Sequence, residues 1–294
     1  MAALATWTSR SLQRQVRVFR RDRLGLVGLI GLVCYALVAI LSPYITAYGP
    51  DEITRDSDGS VSVTQPPSSR HPFGTTNMGR DVWSGVVYGT RTAFIVGAVT
   101  ALAITALGTA IGIISAFFGR WVDELCMRVV DICYSLPLEP FVIIIVSFTG
   151  PSIWTISFGT TLLMWRSSAR VIRAETLSIA KEPFVEAARA IGASNSRILW
   201  AHILPNVMPI STIYIAIGAG WAVLVEANVS FLGYGDPHAI SWGRLLNQVF
   251  VTGMMRHAWW WVLFPGLALM LFVTCIFFVS RAYERELNPQ LKEL

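Results

Sequence analysis

The sequence predicts an all-α integral membrane protein, and three observations carry that prediction. Of 294 residues, 54% are hydrophobic and only 14% charged, against about 25% charged in soluble domains. Six apolar stretches, at about 24–46, 92–118, 129–149, 153–173, 207–231 and 259–280, each approach the roughly 20 residues needed to cross a bilayer. The basic residues, finally, alternate along those stretches in a way that assigns each connecting segment to one side.

With both termini inside, seventeen of the 23 Lys and Arg residues fall in inner segments and six in outer ones. The positive-inside rule therefore orients residues 1–23, the 175–206 connection and the 281–294 tail to the cytoplasm. Residues 1–23 carry Arg10, Arg14, Arg17, Arg20, Arg21 and Arg23 with Trp7, Leu12, Val16 and Phe19 between them. This is the pattern of a basic amphipathic helix on the inner leaflet, or of arginines that only hold the N-terminus inside. The net charge of +5 follows topology and forms no single patch, so no nucleic-acid partner is expected. Neither lysine, Lys181 nor Lys292, lies in a G-x-x-x-x-G-K-[ST] sequence, so the chain builds no Walker-type ATP site. Cys34, Cys126, Cys133 and Cys275 form no C-x-x-C pair and read as small apolar residues rather than a metal or disulfide framework. No paired acids or nucleophile-base arrangement marks a catalytic site.

The first crossing leads into an outer segment, 47–91, with a Pro/Ser-rich run and no core pattern, read as a loop. Its end, through Arg80, Asp81, Trp83 and Tyr88, suits a bilayer interface, with Arg80 beside Asp81 able to pair across a bend. Gly108 and Gly112 in the second crossing have the spacing of close helix contact. The third and fourth crossings are separated only by residues around Gly150-Pro151, which predicts a tight hairpin. Trp259-Trp260-Trp261 reads as an interfacial belt at the start of the sixth.

The 175–206 connection is the polar stretch between the fourth and fifth crossings. Phe184, Ala187, Ala188 and Ile191 recur at i, i+3, i+4 and i+7, the spacing of one apolar helix face, with Glu186 and Arg189 elsewhere. Pro183 suits the first turn, Gly192 the left-handed position that closes a helix, and Ser194 the cap of a second helix through Arg197 to His202. Glu139, between Pro137 and Pro140, and Glu226 in the fifth are carboxylates placed within crossings. Such groups are costly in a membrane and face a cavity or a partner.

The run Glu186-Ala187-Ala188, Gly192 and His202-Ile203-Leu204-Pro205-Asn206 resembles the EAA loop of permease subunits of bacterial ABC importers. Residues His71 to Ser84 with Tyr88 to Arg91, Glu226 to Gly235 with Ser241-Trp242-Gly243, and Trp259 with Pro265 to Ala268 resemble the C-type permeases for dipeptides, oligopeptides and nickel. Thr76 stands where that family more often has Asp, and Asn228 where a small residue is usual. The resemblance implies a type I ABC importer-like fold with a cytoplasmic coupling helix between the fourth and fifth crossings, carrying Phe184, Glu186, Ala187, Ala188, Ile191, Gly192 and Arg197. It implies a bacterial inner-membrane location, a second non-identical permease, two cytoplasmic ATPases that bind ATP and Mg, and an extracytoplasmic solute-binding protein. No cofactor is expected in this chain, and membrane lipid is among its expected partners. Glu139, Glu226 and Asn228 are candidates for the substrate pathway, and Arg80, Asp81 and Trp83 for an external gate or partner contact. The alternative is an ion-coupled secondary transporter using Glu139 or Glu226.

Overall fold

Helix formation follows the apolar stretches, but their ends and one middle differ from expectation. The computed structural model describes residues 22–287, so the arginine-rich stretch before Asp22 lies outside the described residues. In order the helices are α1 (Arg23–Ile45), α2 (Val82–Phe118), α3 (Arg120–Ser135), α4 (Leu138–Thr149), α5 (Ile153–Ile179), α6 (Pro183–Ala190), α7 (Asn195–Ile198), α8 (Leu204–Val229), α9 (Trp242–Val251) and α10 (Trp259–Leu287). A π-type turn, Leu199–Ile203, joins α7 to α8 without a break.

Among the described residues, four helical runs are long and apolar enough to cross a membrane: α1, α2, Asn195–Tyr234 and Trp259–Arg285. The stretch expected as a third straight crossing, 129–149, is instead two helices, α3 and α4, whose axes meet at 89°. Pro137 is the cause: it forces Leu136 into extended backbone (φ −92°, ψ 130°). Helix α5 is long enough at 27 residues but carries Arg166, Arg170 and Arg173 in its second half. Helix α2 starts ten residues before the predicted crossing, because the lead-in from Val82 to Arg91 is itself helical.

The chain divides into two compact units, Met1–Phe94 with His238–Leu294, and Ile95–Pro237. In the first, α1 and α10 run antiparallel. Asp22 pairs with Arg285 at 2.9 Å, and the Tyr35 hydroxyl donates to the Ala268 carbonyl at 3.0 Å. Gly28 sits so close to Cys275 and Phe278 that a Cβ there would come within 2.7 Å of both. Asp22 caps α1 by accepting from Gly25 N–H at 3.0 Å. That bond holds its carboxyl below the usual range, with Arg285 adding to the effect and burial opposing it.

The first part of the outer segment 47–91, expected as a loop with no core pattern, is an ordered layer of turns and isolated bridges. Its polar side chains point inward: Thr54, Ser62, His71, Thr75 and Asp81 are all buried. Thr54 donates to the Gly79 carbonyl at 2.7 Å, and the Gln65 amide to Asp56 at 2.6 Å. Phe73 stacks on Phe264 with centroids 3.8 Å apart, and the Trp260 indole donates to the Thr75 carbonyl at 3.2 Å. The tryptophan run is therefore not a uniform belt: Trp259 is exposed, whereas Trp260 and Trp261 are buried.

In the second unit, α5 is the central strut. Gly108 and Gly112 of α2 touch its backbone, where Cβ atoms would lie 2.8 Å from the Trp165 carbonyl and 2.7 Å from that of Ala169. Val142 and Val146 of α4 pack with Ile156, Val225 and Val229. Of the cysteines, Cys133 is buried in this unit, while Cys34 in the first is exposed rather than packed inside.

Candidate functional site

The polar connection folds as helix, turn, helix. Pro183 occupies the first turn of α6, where a missing N–H breaks no hydrogen bond. Gly192 closes the helix at φ +79°, with nothing within 4 Å of where a Cβ would stand. Its requirement is thus conformational, not spatial. Ser194 accepts from Arg197 N–H at 3.3 Å and starts α7.

Which face this hairpin buries differs from the expected one. Val185 and Ala188 point inward, packing with Ile113, Ile172, Ile179, Ile198, Ile203 and Val207 in one apolar cluster. Of the four residues read as a single apolar face, only Ala188 is inside; Phe184, Ala187 and Ile191 are exposed. The helix is rotated so that Val185, left out of the periodicity, is its anchor. The outer side then presents Ile191 (85% exposed) and Phe184 (43%) among Glu186, Arg189 and Arg197, while Trp200 lines an apolar groove with Leu102, Thr105 and Met208. Phe184 lies beside His202, with ring centroids 6.1 Å apart, and the Arg189 guanidinium is 5.9 Å from the Phe117 ring. Large exposed apolar side chains rimmed by charge mark a protein-binding surface, and nothing in this arrangement resembles a catalytic centre.

The two carboxylates have separate environments. Glu139 is half-buried in the first turn of α4, immediately after the bend. There the helix N-terminus favours a negative charge, so the group is not stranded within an apolar span. Glu226 is buried, 4% exposed, and accepts from the Ser230 hydroxyl at 2.6 Å. Ser230 opens a widened turn, Ser230–Tyr234, with Gly233 at φ +92°. That turn delivers Asp236 to the start of α5, where its carboxylate accepts from Ile153 N–H at 3.2 Å. Glu226 thereby supports a local fold, while Asn228, two residues on, is exposed.

Arg80 and Asp81 do not pair with each other. Asp81 is 3% exposed; one oxygen meets His71 Nδ1 at 2.9 Å and the other accepts from Ser84 N–H at 2.8 Å, capping α2. Arg80 turns away to Asp51 at 2.8 Å, which Arg244 also approaches at 3.6 Å. Trp83 packs edge-on against Phe73 and donates to the Ile45 carbonyl at 3.3 Å. The contributions of Asp51 and Arg244 lack a sequence signal, since the two lie 193 positions apart; His71 opens the His71 to Ser84 block, but its pairing with Asp81 was not read from it. The charge pairs of α3 with α5 were likewise missed: Asp131 with Arg170 at 2.8 Å, and Asp123 with Arg173.

A family model described as "binding-protein-dependent transport system inner membrane component" matches residues 108–289. Another, "N-terminal TM domain of oligopeptide transport permease C", matches residues 11–67. A Brucella suis biovar 1 protein named as a peptide permease is 34% identical over 280 residues, 95% of this chain and 91% of its own. The dipeptide transport system permease protein of Alkalihalophilus pseudofirmus is 33% identical over 274 residues, 93% of this chain and 88% of its own. Among solved structures, a chain of the inward-facing methionine ABC transporter MetNI aligns with a TM-score of 0.56 at 18% identity. That alignment covers 68% of this chain and 94% of the other, and at such identity it bears on fold alone.

Proposed function

The chain belongs to the family of binding-protein-dependent transport system inner-membrane components, and we propose that it is one of two non-identical permease subunits of an ATP-driven ABC importer for peptides. It forms half of the pathway and hydrolyses nothing itself; two cytoplasmic ATPase subunits bind ATP and Mg, and a solute-binding protein delivers cargo from outside. The peptide cargo rests on the named relatives. Six crossings follow if the bent pair α3–α4 counts as the third and α5 as the fourth. Both termini are then cytoplasmic, which the Asp22–Arg285 pair supports by holding the start of α1 against the end of α10.

The observation that carries the reading is the two-sided packing of α6. Val185 and Ala188 fasten it to the helices that cross the membrane, while Phe184 and Ile191 stay outside. Closure of the ATPase pair on ATP displaces α6, and the buried side passes that displacement to α5 and α8 through a close-packed cluster. ATP drives transport to the extent that the closed ATPase pair favours one arrangement of the crossings. Arg80 and Trp83 belong to the outer face that meets the binding protein, and Glu139 at the α3–α4 bend borders the pathway. Family membership disfavours the ion-coupled carrier, and Glu226 has a local partner that a proton site does not require.

Affinity purification of the tagged chain in mild detergent tests the proposal. The expected result is recovery of a second permease and an ATPase whose activity rises with peptide-loaded binding protein. A chain that purifies alone and takes up peptide without ATP would overturn it.

A further inference from the structure

We propose that a groove between α2 and α8 seats a transmembrane helix of the second permease subunit, an inference that rests on the two-permease reading above. The groove has a volume of about 470 Å³ and lies within the second compact unit. Thr105, Ala106, Thr109 and Ala110 of α2 form one wall, Met208 and Ser211 of α8 the other, and Trp200 borders it just before α8 begins. Among the described residues that line it, none is charged. The buried hydroxyls of Thr109 and Ser211 meet at 3.0 Å and tie the two walls together, so the groove is formed before anything enters it.

Two independent observations name the occupant. The first is the size of the wall residues. The outward stripe of α1, Val27, Ile30, Val33, Leu37 and Ile40, is built of large side chains, each more than half exposed. Where the crossings carry small residues, another helix fills the space: Gly108 and Gly112 meet α5, and Gly28 meets α10. Thr105, Ala106, Thr109 and Ala110 repeat that small-x-x-x-small spacing, with Ala106 and Ala110 left exposed. The second observation is polar. Thr90, Thr160 and Thr274 return their hydroxyls to the carbonyl four residues before, but the Thr105 hydroxyl, on a residue 6% exposed, has no partner. An unmet hydroxyl in apolar surroundings is costly. An acyl chain covers the wall and leaves that hydroxyl unmet, whereas a helix brings a Ser, Thr, Asn or Gln side chain to it. The groove also shares its wall with the cluster under α6: Ile113 belongs to both, and Leu199 and Leu204 pack against that cluster. A helix seated here receives the displacement of α6 through one layer of side chains, so the second permease moves with the first.

The test is photo-crosslinking and copurification from membranes that carry the whole transporter. Benzoylphenylalanine in place of Leu102, on the rim of the groove, should capture the second permease, identified by mass spectrometry. T105V should leave the thermal midpoint of the chain alone unchanged or higher, because it removes an unmet buried hydroxyl, yet lower recovery of the second permease about threefold. T105S, which keeps the hydroxyl, should recover nearly the wild-type amount. A106F, which fills the groove, should lower recovery at least about tenfold with the midpoint of the chain alone unchanged. Lipid as the only adduct at position 102, capture of a second copy of this chain, equal losses in T105V and T105S, or undiminished recovery with A106F would each overturn the proposal. A wild type that recovers no second permease would count against the two-permease reading itself, whereas undiminished recovery with A106F counts against the groove alone, so the two failures are distinguishable.

Discussion

The two polar stretches of this hydrophobic chain, segment 46–81 and the hairpin around α6, resolve the same problem in opposite ways. The first turns its polar groups inward. Asp81, His71, Thr75 and Ser62 are buried and bonded, and the segment is pinned by Phe73 and by the Trp260 indole to the start of α10. The second buries two small apolar residues, Val185 and Ala188, and leaves the larger Phe184 and Ile191 outside. Polar composition alone therefore does not mark a working surface. The informative feature is an exposed large apolar group that nothing among the described residues covers, whereas a buried polar network is scaffold, even one that leaves His71 Nε2 without a hydrogen bond.

That contrast breaks most sharply at Asp81. Asp81→Ala removes a helix cap and leaves His71 Nδ1 buried without its partner, so about 3 kcal/mol of stability should be lost. The thermal midpoint of the purified chain in detergent reads this directly; an unchanged midpoint would mean the segment is not a scaffold. Ile191→Arg is the counterpart. Its midpoint should stay within about 0.5 kcal/mol of the wild type, while transport falls at least about tenfold, a binding loss near 1.4 kcal/mol. Equal transport at equal membrane abundance would remove Ile191 from the working surface. Gly192→Ala sharpens the comparison further. The strained left-handed backbone should cost about 1 kcal/mol, and coupling of ATP hydrolysis to uptake should weaken because α6 is mis-aimed. Gly192→Asn, which tolerates that conformation better, should recover much of the loss.

Much of the hairpin was legible in the sequence because local chemistry governs it: Pro183, Gly192 and Ser194 each act within four residues. The long helices α1, α8 and α10 were legible from apolar length. The face of α6 was not, since an eight-residue helix is placed by whichever apolar residue meets the cluster formed by Ile172, Ile179 and Ile203, and periodicity cannot choose between Val185 and Ile191. The break at Pro137 was signalled by the proline, but the apolar run across it concealed two helices as one. The order of 46–81 was invisible for a different reason. Its bonds join Thr54 to Gly79 and Thr75 to Trp260, separations that leave no period.

The smallest expected effect concerns the helix ends. Asp22 has a carboxyl held below the usual value of 3.8, first by Gly25 N–H and then by Arg285, against the cost of burial. A depressed folded value means the stabilisation is present above pH 3.8 and is lost as the pH falls through the lower folded value. Asp22→Asn keeps a cap but loses the ion pair. It should therefore be less stable by about 0.5 kcal/mol near neutrality, since Arg285 is partly exposed. The difference should close in acid, as followed by thermal midpoints from pH 8 to pH 3. A gap that persists in acid would assign the effect to something other than the pair.

The central claim, that the outer side of α6 is a cytoplasmic docking surface, is tested most directly by chemical protection at Ile191. In a variant with its four native cysteines replaced, Ile191→Cys would be treated with a membrane-impermeant maleimide in inside-out vesicles, with and without coexpressed ATPase. A docking surface there predicts fast labelling of the chain alone, strong protection on assembly, and no labelling from the opposite face in right-side-out vesicles. Labelling unaffected by the ATPase, or reaching residue 191 only from outside, would contradict it.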